Sequence, residues 1–121
     1  MIDNIKFPGL RADARTDQVL EAKYQWAREL SVKYDAPVIE TSQVSTEGAG
    51  LQFPEMHMLK DSKTGKQGAC DVILMIGRSN DPMLEYQRFL SVPKNKLKIE
   101  GSAPLRDEVL FNPDRGVYIE Q

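Results

Sequence analysis

Leu20, Tyr24, Ala27, Leu30 and Tyr34 recur at three- and four-residue intervals, and directly after them the chain turns to "DAPVIETS", residues 35 to 42. No other feature constrains the fold as much. Apolar residues at that spacing share one face of a helix, and Glu29 and Lys33 form an i,i+4 pair on another. The pattern predicts a long amphipathic helix from about Asp13 to Tyr34, with Asp13 or Thr16 accepting the first free N–H groups as its cap. Pro37 ends it, because the residue before a proline avoids helical dihedrals. The apolar run that follows reads as a strand, and a helix feeding a strand is the second half of a βαβ crossover.

The opening "MIDNI", closed by Pro8 and Gly9, reads as the first strand of that crossover. "MIDNI" and "PVIETS" are therefore expected as parallel strands, and the class as α/β. "CDVILMIG", residues 70 to 77, is almost continuously apolar, as in a central strand covered on both faces. "YQRFLSV", "DEVLFN" and "GVYIEQ" predict antiparallel strands ending in a hairpin, with "NPDRG" as its turn. Residues 44 to 68 are polar, contain glycine and follow no sustained period, so they are expected to form a long mobile loop.

Composition narrows the function. The 121 residues amount to a single domain, and 16 basic against 18 acidic side chains leave a net charge of -2, so any attraction to nucleic acid must be local. The one cysteine, Cys70, has no intrachain disulfide partner, and the amino-terminal residues lack the pattern of a secretory leader, which makes the cytoplasm the expected compartment. The longest purely apolar stretch, "VILMI", is far too short to span a bilayer, which takes ~20 residues.

Ligands of open parallel sheets bind beyond the carboxyl ends of the strands. Three polar groups are expected there: Asp3, the pair Ser42 and Gln43, and the "PKNK" segment with Lys94 and Lys96. An aspartate suits Mg²⁺, a glutamine amide suits a phosphate or an attacking water, and lysines suit the charge that builds on phosphoryl oxygens.

The ordered set "MIDNI", long helix, "VIETSQ", loop, "SKTGKQGACDVILMIG", "SVPKNK" resembles the carboxyl-terminal half of the ATPase domain of RecA-like ring helicases, most closely phage and DnaB-like replicative helicases. The resemblance spans nearly the whole chain, so residues 1–121 are expected to form one partial RecA-like domain. It implies ATP and Mg²⁺ as cofactors of the full-length protein, single-stranded DNA as partner, and a homo-oligomeric ring. Residue by residue, it implies that Asp3 is the Walker B metal ligand and that Gln43, beside Ser42, senses the γ-phosphate and relays it to the DNA-binding loop. Lys94 and Lys96 match the Lys-x-Arg pair that reaches a neighbouring subunit's nucleotide.

The sequence departs from the family pattern in two respects. No G-x-x-x-x-G-K-[ST] phosphate loop occurs in the chain, and the catalytic glutamate that accompanies it is absent as well. Lys96 stands where the family has an arginine finger, and lysine lacks the planar fork for bidentate phosphate contact. Two functions follow as alternatives: part of a helicase motor, or a non-catalytic RecA-like module that binds single-stranded DNA or a helicase partner. A recombinase or clock-type ATPase is a third, less specific match.

Several residues carry a plain reading beside the functional one. Lys60, Lys63 and Lys66 give the loop a basic face for DNA or merely a solvated one. Lys94 and Lys96 also suit an exposed strand edge, which lysines protect from aggregation. Phe53 either stacks on a base or anchors the loop to the core. His57 is the only histidine, which leaves a zinc site without support, and Trp26 and Cys70 read as packing residues.

Overall fold

The computed structural model describes residues 15–60, 65–101 and 105–120. The chain divides into two compact units: Met1–Ser45 with Leu59–Cys70, and Thr46–Met58 with Asp71–Gln121.

The first unit is built on helix α1, Thr16–Tyr34. Leu20, Tyr24 and Ala27 are buried as the spacing predicts, and Lys23 is buried beside them. The stripe runs out of the core toward its end, where Leu30 is half-buried and Tyr34 exposed. Thr16 is the first helical residue and not the cap; Arg15 holds that position, and its backbone N–H donates to Gln18 Oε1 at 3.3 Å. Asp13, the other expected cap, lies outside the described residues. The helix stops where the proline requires: Asp35 adopts a left-handed conformation with φ 47°, and the Ala36 N–H donates to the Ser31 carbonyl at 3.2 Å. A short helix α2, Gly65–Ala69, seats Ala69 against Tyr24 and Ala27, with Cys70 partly buried on the same cluster. Its last carbonyl would otherwise lack a donor, and Arg28 Nη1 supplies one at 3.0 Å.

The described residues do not show the expected parallel pairing. "MIDNI" lies outside the described residues, and Pro37–Ser42 is not a strand: Ile39 is 93% exposed. A strand persists only where its N–H and C=O groups find a ladder. Among the described residues this segment has no neighbouring strand, and its one pairing comes just beyond it, an isolated antiparallel bridge between Val44 and Leu59.

The second unit is an antiparallel meander of β1 (Val72–Gly77), β2 (Gln87–Asn95), β3 (Arg106–Asn112) and β4 (Val117–Glu120), in that spatial order. β1 is thus at the edge of the described sheet and not central as its apolar run predicts. Ile73, Met75 and Gly77 are buried, whereas Val72, Leu74 and Ile76 are exposed, which is the alternation of a strand covered on one face. The ladder between β1 and β2 slips between Ile73 and Met75, whose partners are Lys94 and Ser91. The extra residue falls on β2 around Pro93, which has no N–H to give to a regular ladder. The β3–β4 turn forms as its sequence predicts: Asn112 Oδ1 accepts the N–H groups of Asp114 and Arg115 at 3.1 and 3.2 Å, and Gly116 takes φ 63°.

Residues 46–58 cover the buried face of this sheet. Phe53 meets Phe89, 2% exposed, edge-on at 5.5 Å, and the Arg106 guanidinium lies over the other ring at 4.8 Å from the Phe53 centroid. The Arg78 N–H donates to the Leu51 carbonyl at 3.2 Å. Gly77 admits this approach because it has no Cβ, which would run into the Gln52 carbonyl oxygen.

Candidate functional site

The first unit joins Gln43 to the start of the lysine-bearing stretch. The Lys60 N–H donates to the Gln43 carbonyl at 3.0 Å, and the Val44–Leu59 bridge follows immediately. The long excursion between them is therefore closed at its neck by backbone contacts, one residue away from Ser42. Ser42 is half-buried, and Gln43 and Lys60 are exposed, so a hydroxyl, an amide and an ammonium group are presented on consecutive or hydrogen-bonded residues. Lys66 is carried on α2, while Lys63 and Asp3 lie outside the described residues.

The second unit fixes Lys94 and Lys96 at the open end of the β1–β2 hairpin. Lys94 is half-buried on β2 opposite Ile73, and Val72 and Asn95 form the closing pair. Beyond that pair the Lys96 N–H donates to the Asp71 carbonyl at 2.9 Å, and the Lys96 ammonium stands 3.8 Å from Asp71 Oδ1. Asn95 Oδ1 accepts the Leu97 N–H at 2.9 Å, which locks the turn that carries Lys96. The two side chains of the ion pair are 47% and 54% exposed, so water screens their attraction and the pair adds only ~0–1 kcal/mol of stability. Sequence reading missed Asp71. Its signal was an acid standing just before an apolar strand, one position outside the residue that pairs with Asn95.

Phe53 is committed to the sheet as the loop's anchor, between Phe89 and Arg106. His57 Nδ1 lies 3.2 Å from Glu55 Oε2 in an exposed contact, and among the described residues no three His, Cys, Asp or Glu side chains gather as a metal site. Mg²⁺ does not demand such a cage, since it is commonly held by one or two carboxylates together with substrate phosphates and water. In the second unit Lys94 on β2 and Lys96 on the following turn bring two lysines to the open end of the hairpin, and in the first unit Ser42 and Gln43 offer a hydroxyl and an amide, groups of the kind that bind phosphate. Among the described residues, no helix is long and apolar enough to cross a membrane.

No family model and no curated protein matches the chain by sequence. Its fold is similar to that of solved replicative-helicase ATPase domains. One similar solved structure is described as an ATPase domain; it matches with a TM-score of 0.75 and 14% identity over 92% of this chain and 39% of its own. A second is a DnaB-like replicative helicase, described with its interactions with primase, with a TM-score of 0.75 and 14% identity over 93% of this chain and 28% of its own. This chain thus spans less than two-fifths of the length of either. At such identity the likeness is one of fold, and the antiparallel sheet matches those domains coarsely.

Proposed function

We propose that this chain works as the carboxyl-terminal part of a DnaB-like replicative helicase motor that couples ATP hydrolysis to movement along single-stranded DNA. The observation that carries the reading is the backbone bond between Gln43 and Lys60, in a chain whose fold matches such domains over more than nine-tenths of its length. Gln43 follows Ser42 and is one hydrogen bond from the lysine that opens the basic stretch. A displacement of its backbone toward a phosphate passes directly to Lys60, and through the Val44–Leu59 bridge to both arms of the loop.

In this reading ATP, with Mg²⁺, supplies the phosphoanhydride whose hydrolysis drives the motor. Asp3 offers a carboxylate to the metal, and Ser42 and Gln43 bind and sense the terminal phosphate. Lys94 and Lys96 present positive charge to the nucleotide of a neighbouring copy in a homo-oligomeric ring. Lys60, Lys63 and Lys66 hold the DNA backbone by neutralising phosphates. Because Gln43 acts as a sensor here, Gln43→Ala in the full-length protein uncouples ATP hydrolysis from DNA, and single-stranded DNA no longer stimulates it. Undiminished stimulation would rule the relay out.

The lack of a G-x-x-x-x-G-K-[ST] loop within these residues favours a second reading, a module that binds single-stranded DNA or a helicase partner without hydrolysing ATP. ATP turnover by the purified 121-residue chain would exclude it.

A further inference from the structure

We infer that Asp71 is a built-in competitor for the phosphate-binding ammonium of Lys96, a counter-charge that sets how tightly the hairpin end takes an anion. The inference rests on the reading of Lys94 and Lys96 as phosphate-facing residues. Asp71 and Lys96 flank the last paired residues of the β1–β2 ladder, Val72 and Asn95, and their backbones are tied by the 2.9 Å hydrogen bond from the Lys96 N–H to the Asp71 carbonyl. The Asn95–Leu97 hydrogen bond holds the same turn from the other side. The backbone is thus held independently of the side-chain ion pair.

That charge has one consequence while the site is empty and the reverse when an anion arrives. At 3.8 Å the carboxylate neutralises the ammonium, and with both groups about half exposed the ammonium keeps access to water and to a second acceptor. An incoming phosphate must share that ammonium with Asp71 and must also sit near a like charge, so Asp71 lowers the affinity of the hairpin end for polyphosphate. Lysine suits the exchange because its compact ammonium carries three donors on a flexible stem and can swing between acceptors. Asp71 is accordingly a positioning residue that acts through Lys96.

The test is titration of the 121-residue chain with inorganic tripolyphosphate at low ionic strength, following the backbone amide resonances of residues 94–97. Asp71→Asn keeps the side chain's size and removes its charge, and it should tighten binding roughly threefold to fivefold, the range that a solvated charge pair at this distance permits. Asp71→Glu should restore wild-type affinity. Asp114→Asn makes the same change in net charge in the β3–β4 turn, at the opposite end of the sheet by register, and should leave affinity unchanged. In the Lys96→Ala background the effect of Asp71→Asn should shrink to the weaker like-charge repulsion that remains. Tripolyphosphate binding at residues 94–97 with equal affinity in wild type and Asp71→Asn would overturn the inference while sparing the phosphate reading. Equal tightening by Asp114→Asn, or an undiminished effect in Lys96→Ala, would likewise reduce Asp71 to a general charge effect and overturn it. No response of residues 94–97 in any variant would remove both.

Discussion

Gly77→Ala should cost this protein far more than a methyl group ordinarily does. The added Cβ would run into the Gln52 carbonyl oxygen and stand 2.7 Å from the Leu51 carbonyl oxygen, and both obstacles are backbone, so no rotamer change relieves the clash. Either β1 shifts or residues 46–58 lift from the sheet. Forcing extra volume into a packed interior costs ~1–3 kcal/mol. Lifting the segment also strains the Arg78–Leu51 hydrogen bond, ~0.5–1.5 kcal/mol, and the edge-to-face contact of Phe53 with Phe89, ~0.5–1.5 kcal/mol. Because these losses overlap, the net destabilisation is roughly 2–4 kcal/mol. Equilibrium urea unfolding measures the loss, and amide exchange at Arg78 locates it. Gly68→Ala is the matched comparison: a Cβ there meets nothing within 4 Å, and alanine favours the helix by ~0.5–1 kcal/mol. If Gly77→Ala were as stable as wild type, with Arg78 equally protected, residues 46–58 would not be seated on the sheet as described.

Phe89→Ala, at the most buried side chain of the sheet, should destabilise by ~3–5 kcal/mol in the same unfolding measurement. Arg28→Met keeps most of the stem but leaves the Ala69 carbonyl without its donor, at a cost of ~1–3 kcal/mol; faster amide exchange in α2 would report it. The Arg15 guanidinium beside Asp17 holds that carboxyl below the ordinary value of 3.8. A depressed carboxyl contributes stability that is present above its unfolded pKa and is lost as the pH falls through the folded one. The difference in melting temperature between wild type and Asp17→Asn should therefore be constant above about pH 5, disappear in stronger acid, and shrink with added salt.

Local patterns were legible in the sequence wherever a residue's neighbours in the chain decide its structure. The spacing of Leu20, Tyr24 and Ala27 predicts α1, Pro37 predicts its end, and Pro113 with Gly116 predicts the last hairpin. Pairing was less legible, because it depends on residues far along the chain. An apolar run such as "VILMI" states that a strand is buried, but not on how many faces or in which direction it pairs. β1 consequently appears at an edge, beside an antiparallel partner. "PVIETS" has the composition of a strand, yet Ile39 stands in solvent because composition alone cannot supply a ladder. Around the candidate site, the chemistry of Lys94 and Lys96 was visible, whereas Asp71 emerged only from the register that sets Val72 against Asn95. Phe53 had two sequence readings, and its contacts with Phe89 and Arg106 decide for the anchor.

The most direct test of a helicase-type role is the salt dependence of binding between the 121-residue chain and a fluorescent oligodeoxythymidine, read by anisotropy. Three lysines that each neutralise a phosphate of a single strand give a slope of log K against log salt concentration of about −2. Replacing Lys60, Lys63 and Lys66 together with glutamine should abolish that slope and most of the affinity. No binding at low salt, or an unchanged slope in the triple variant, would contradict the assignment of this loop to DNA.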